Sequence, residues 1–139
     1  MENSKKIDVN DINQVKNSLA DKSLKVCVVG IGRIGLPTAL SFAKVGLQTI
    51  GMDINEQLVD SLNQGIFPLK DEPGYEDIFN NVIKNGNFSA TTDINKAISG
   101  SDLILLSLPT PMNEKNVPNY SVLESVCKQL GDILQPNSL

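Results

Sequence analysis

No histidine occurs among the 139 residues. Histidine general bases, histidine-containing zinc sites and Ser-His-Asp triads are therefore excluded within this chain. Cysteine is nearly as scarce: Cys27 and Cys127 alone make neither a disulfide framework nor a metal cluster, and no metal site is expected. Such usage fits a reducing cytoplasm. No apolar run approaches the roughly 20 residues that a membrane helix needs. Met1 to Asp11 is polar and lacks the apolar stretch of a secretory signal. Positive charge is in deficit, 12 Lys and Arg against 16 Asp and Glu, for a net charge of −4. Neither nucleic acid nor an anionic membrane is expected as a partner on that balance. What is present is an ordinary soluble composition, 40 % apolar and 20 % charged, at a length that suits one domain.

Residues 1–23 form a polar leader in which Ile12, Val15 and Leu19 fall three and four apart, a spacing that allows a short amphipathic helix. A flexible leader or a strap on the domain surface is the expected role. From residue 24 to residue 139 the chain reads as one domain. Leu24 to Val29 is a β-branched run ending at a glycine, as in a fully buried parallel strand. Leu36, Ala39, Leu40 and Ala43 then keep helical spacing up to Gly46, and Pro37 is acceptable in a first turn. Gln48 to Asp53 reads as a second strand. Asn55 caps a helix bearing Leu58, Val59 and Leu62, which Gly65 ends. Ile66 to Gly74 is a loop, and Tyr75 to Asn85 returns to helical spacing. A brief strand (Phe88 to Thr92), a short helix capped by Asp93, a clear strand (Leu103 to Leu108) and a helix from Ser121 to Leu134 complete the order. Strands alternating with helices predict an α/β domain, a parallel sheet covered on both faces. Cys27, between valines, reads as core, and Cys127, four residues after Leu123, as packing.

Gly30-Ile31-Gly32-Arg33-Ile34-Gly35 matches the pattern G-x-G-x-x-G, a weak signal alone. Here it ends a predicted strand and opens a predicted helix, the context in which it means dinucleotide binding. Gly30 permits the tight turn, Gly32 lets backbone meet a pyrophosphate, and Gly35 lets the helix pack on the sheet. The helix start adds free N–H groups and partial positive charge. Asp53, 18 positions after Gly35 at the end of the second strand, suits the ribose hydroxyls of NAD and would repel the 2′-phosphate of NADP. Thr110, in the Pro109-Thr110-Pro111 loop after the fourth strand, either hydrogen-bonds the cofactor or belongs to a rigid turn.

Taken together, these segments resemble the N-terminal domain of the UDP-glucose/GDP-mannose dehydrogenase family, from about Lys25 to the end. The likeness rests on Gly30 to Pro37, Gly51 to Asn55, Leu62 to Pro68, Glu72-Pro73-Gly74, Ala90 to Asp93 and Leu108 to Pro111. The Gly-Leu-Pro and Asp-Ile-Asn segments look most like the branch acting on UDP-N-acetyl-mannosamine or UDP-N-acetylglucosamine. The resemblance implies a Rossmann-type doubly wound sheet and NAD as cofactor. It implies a UDP-sugar as substrate of the full-length enzyme, oxidised at C6 from alcohol to carboxylate in two hydride transfers. It also implies a homodimer for that enzyme. Gly30, Ile31, Gly32, Arg33, Ile34 and Gly35 would surround the pyrophosphate, Asp53 would hold the adenosine ribose, and Pro109 with Thr110 would border the cofactor.

This chain departs from the family in two places. An aromatic residue is usual where Arg33 stands, and its guanidinium would either reach a phosphate oxygen or point into solvent. The family's catalytic cysteine and lysine lie in later segments, so no catalytic residue is assigned here and the chain alone is expected to be inactive. The later strands are also expected to be missing, the next one due about where the sequence stops, leaving a sheet edge short of a neighbour. Two other readings share the first two strands: a stand-alone regulatory NAD(H)-sensing module, and the cofactor domain of a 3-hydroxyacid dehydrogenase. The Glu72-Pro73-Gly74 and Pro109-Thr110-Pro111 segments speak against both.

Overall fold

The computed structural model describes residues 6–139, so the first five residues of the expected leader lie outside the described residues. Helix α1 (Ile12–Ala20) opens at Asp11, whose side chain accepts from the N–H groups of Asn13 and Gln14. Val15 and the preceding Ile7 pack against the core, whereas Ile12 and Leu19 face solvent. Strand β1 (Lys25–Val29) is buried at every residue after the first. It is followed by α2 (Gly35–Lys44), β2 (Gln48–Met52), α3 (Glu56–Asn63) and α4 (Tyr75–Lys84). Then come β3 (Phe88–Thr91), α5 (Ile94–Ser99), β4 (Leu103–Leu106) and α6 (Ser121–Ile133). Asn55 and Asp93 cap α3 and α5 through side-chain oxygens that accept from Leu58 and Lys96 N–H groups, the use short polar side chains have at helix starts. No helix among the described residues is long and apolar enough to cross a membrane.

The four strands lie parallel in the order β3-β2-β1-β4. Val28 is the hub of the register, opposite Gly51 on one side and Leu105 on the other. Alternation along β1 sends side chains to both faces. Val26 and Val28 meet α2, α3 and α4 through Leu36, Leu40, Leu62 and Phe79. Cys27 and Val29 meet Ala97, Ile98 and Leu130 of α5 and α6. The result is an α/β doubly wound sheet of the Rossmann type, with β1 and β2 as the inner strands.

The edges are treated differently. On β3, the outward N–H of Ala90 donates to Asn63 Oδ1 at 3.0 Å, and Asn63 Nδ2 donates to the Ala90 carbonyl at 2.9 Å. One amide side chain thus stands in for a neighbouring strand. On β4, Leu139 N–H donates to the Asp102 carbonyl at 2.9 Å and Ile104 N–H to the Leu139 carbonyl at 2.7 Å, the pattern of a parallel ladder just beginning.

Two expectations are corrected. The strand expected over Leu103 to Leu108 ends at Leu106, and β4 is half-buried with Leu106 exposed. As an edge strand flanked on one side by β1, it lacks the cover its composition suggests. Cys127 is exposed on α6 rather than packed, whereas Cys27 is fully buried. Burial pushes the Cys27 thiol up to about 12, because a thiolate in an apolar interior has no solvation. At pH 8 a thiol reagent should therefore label one cysteine per native chain, Cys127, and the second only in denaturant. Fast labelling of both thiols in the native chain would contradict the buried position of Cys27.

Candidate functional site

A cleft of about 610 Å³ lies at the carboxyl ends of β1, β2 and β4, bordered by Val29, Met52 and Ser107. In an open parallel sheet this is where strands diverge and ligands enter. The connection from β1 to α2 forms its floor. Gly30 turns with φ +89°, and a β-carbon there would sit 2.3 Å from the Ser107 carbonyl oxygen. A β-carbon on Gly35 would sit 1.8 Å from the Gly30 carbonyl oxygen and 3.2 Å from Ser107 Cβ. These two glycines are demanded by backbone lying on backbone. Gly32 is different: a β-carbon there would meet nothing within 4 Å. Its bareness serves no internal contact and leaves room for a group outside the chain.

Helix α2 starts without a side-chain cap. Among the described residues, the N–H groups of Gly32, Arg33 and Ile34 donate to no protein acceptor, while Leu36 N–H closes the first turn on the Gly32 carbonyl at 3.0 Å. Unpaired first-turn donors with the positive end of the helix behind them form an anion-binding geometry. Asp53 stands across from them, half-buried. Its Oδ2 accepts from Ile31 N–H at 3.0 Å and its Oδ1 from Asn55 N–H at 3.0 Å. Each oxygen keeps a free lone pair, so the carboxylate can accept further hydrogen bonds from a ligand in the cleft.

Of the sequence-designated residues, Gly30, Gly32, Arg33, Ile34, Gly35, Asp53 and Pro109 line one cleft. Ile31 does not: its side chain is 1 % exposed and fills the space over Gly51, whose β-carbon would lie 2.8 Å from Ile31 Cγ2. The Ile31 side chain therefore points away from the cleft and holds the loop to β2, while its N–H is taken by Asp53. Thr110 lies on the exposed turn beyond Pro109, outside the cleft lining. Arg33 Nη2 donates to Asp71 Oδ2 at 2.5 Å and to Glu72 Oε1 at 3.3 Å. The Asp71 hydrogen bond holds the guanidinium above its ordinary pKa, and the same bond holds the Asp71 carboxyl below its own.

Sequence reasoning missed the far wall, formed by Ile94 at the start of α5 and by Val122, Val126 and Gln129 of α6. Their i, i+4, i+7 spacing continues the face of α6 that buries Leu130, four residues after Val126. Asp71 carried no signal, since its partner lies 38 residues away. No group of three or more potential metal ligands occurs among the described residues.

Residues 24–139 match the model of the UDP-glucose/GDP-mannose dehydrogenase family, NAD binding domain. The UDP-N-acetyl-D-mannosamine dehydrogenase of Campylobacter jejuni is 37 % identical over 116 residues, which cover 83 % of this chain and 27 % of that protein. The GDP-mannose 6-dehydrogenase of Pseudomonas putida is 31 % identical, over 81 % of this chain and 25 % of that one. The solved UDP-N-acetyl-mannosamine dehydrogenase from Staphylococcus aureus superposes with a TM-score of 0.74 at 31 % identity, covering 82 % of this chain and 27 % of its own. The chain spans about a quarter of the length of the curated relatives it matches.

The three glycines of the loop should respond differently to alanine. Gly35→Ala should destabilise the fold by about 3 kcal/mol or more, since the clash is with backbone. Gly32→Ala should leave stability within about 1 kcal/mol of the parent. Urea unfolding followed by circular dichroism decides; equal losses would show that Gly32 is also needed by the fold.

Proposed function

The chain belongs to the UDP-glucose/GDP-mannose dehydrogenase family as its NAD-binding domain, and from that premise we propose that the cleft above the β1–α2 loop is where it holds NAD. The observation that carries this is the bare Gly32 beside three N–H groups without a protein acceptor: the chain leaves a cradle that suits an outside anion. In this reading Gly30, Gly32, Arg33, Ile34 and Gly35 surround the pyrophosphate, with Ile31 holding the loop from beneath. Asp53 accepts from the adenosine ribose hydroxyls through the lone pairs left after Ile31 and Asn55 N–H are served. Ile54, exposed on the rim, and Ile94 offer apolar surface to the adenine. Pro109 borders the cofactor after β4, and Thr110 follows it on the same loop. Bound NAD supplies the hydride acceptor; these residues bind and orient it and take no proton.

The whole protein, in this proposal, oxidises the C6 alcohol of a nucleotide sugar to a carboxylate with two equivalents of NAD. A UDP-N-acetylhexosamine is the preferred substrate class, a homodimer the assembly and the cytoplasm the compartment. The support is the likeness to UDP-N-acetyl-D-mannosamine dehydrogenases. The two free thiols also suit a reducing setting. Neither cysteine serves the chemistry, Cys27 being sealed in the core and Cys127 lying on α6 outside the cleft lining.

Calorimetry of this chain should show NAD binding about tenfold or more tighter than NADP, the factor expected when a carboxylate gains a hydrogen bond in one case and meets a phosphate in the other. Asp53→Asn, which keeps an acceptor for Ile31 N–H, should weaken NAD and erase the preference. Equal affinity for both cofactors in the parent chain would sink the assignment of Asp53. Mixing the chain with NAD and UDP-sugars should give no NADH absorbance; turnover would mean that a catalytic group lies within these residues.

A further inference from the structure

The one arginine of the glycine loop is already engaged. Its guanidinium sits between Asp71 and Glu72, carboxylates of the segment that joins α3 to α4. That segment is fixed rather than loose. Phe67 is buried against Phe79 with ring centroids 5.5 Å apart, and Gly74, at φ +83°, turns the chain into α4. The carboxylates are therefore delivered to Arg33 by the fold. One positive and two negative charges meet there, so the local balance is −1 just where the cleft floor otherwise attracts an anion. All three side chains remain solvent-accessible, Arg33 and Asp71 at 63 % each. An exposed pair of this kind exchanges partners at little cost. Arg33 also lines the cleft itself, so the same residue borders the cleft and holds the acidic segment.

We propose that Asp71 and Glu72 are an internal counter-anion for the glycine loop. They hold Arg33 in the free chain and yield it to the dinucleotide pyrophosphate on binding, so that cofactor arrival releases the α3–α4 segment. The proposal rests on the NAD reading of the cleft. Asp71 and Glu72 are positioning residues acting through Arg33, and they set affinity by competing for it. Two consequences separate this from a purely structural strut. Removing the carboxylates strengthens binding instead of weakening it. Salt, which screens Arg33 from phosphate and carboxylate alike, has a smaller effect on the parent chain than on the neutralised one.

The test is NAD calorimetry at low and high salt on the parent chain, D71N/E72Q, R33A and the triple variant, with hydrogen exchange of residues 69–72. At low salt D71N/E72Q should bind NAD about twofold to fivefold more tightly, the range for an exposed ion pair. Its affinity should fall more steeply with salt, and the gain should vanish in the R33A background. NAD should speed amide exchange at residues 69–72 in the parent. Unchanged or weaker NAD binding by D71N/E72Q, or a gain that persists without Arg33, overturns the counter-anion and leaves the NAD site standing if Asp53→Asn still weakens binding. No NAD binding by the parent or by D71N/E72Q overturns the site reading and the counter-anion together.

Discussion

The cleft depends on two places where the backbone tolerates no β-carbon. Gly35 lies against the Gly30 carbonyl and Gly30 against the Ser107 carbonyl, so the β1–α2 turn is pressed onto both itself and the end of β4. That contact aims the first turn of α2 at the cleft rather than at the sheet. It also fixes where Ile31 falls, over the bare face of Gly51, and hence where its N–H meets Asp53. The two halves of the candidate site, an anion cradle and a carboxylate, are thus one mechanical unit. A methyl group at either glycine would move both.

Asp53, the proposed ribose acceptor, is held in place without being used up. Its two oxygens are anchored by backbone donors from the glycine loop and from the start of α3. Anchoring by N–H groups fixes the carboxylate's orientation and leaves half of its acceptor capacity free. The same economy does not apply to Arg33, whose charge is balanced by neighbours from a distant segment. Attraction for an anion at this cleft therefore comes chiefly from backbone dipoles, which cannot be neutralised by a side-chain rearrangement.

Most of the architecture was legible because its signals are local. The β-branched run before Gly30, the spacing of Leu36, Ala39, Leu40 and Ala43, and the caps Asn55 and Asp93 each act within a few residues. The cleft was legible as far as its floor and Asp53, since glycine pattern and strand end lie close in sequence. What escaped was set by three-dimensional neighbours. Ile31 looks like a loop residue until Gly51 makes a hole for it. Leu106 looks like core until β4 proves to be an edge strand. Cys127 looks like packing because α6 is amphipathic, yet the face that counts runs through Val122, Val126 and Leu130.

The amide of Asn63 on the β3 edge has a consequence for crowded solutions. A sheet with two open margins can recruit copies of itself without limit, each new strand exposing the next. Here the outward N–H and carbonyl of Ala90 on one margin are held by a side chain of the same molecule. On the other margin, the Asp102 carbonyl and the Ile104 N–H are already held by Leu139. A strand arriving at either margin must first prise these partners away, Asn63 from β3 or Leu139 from β4, before its own hydrogen bonds can form.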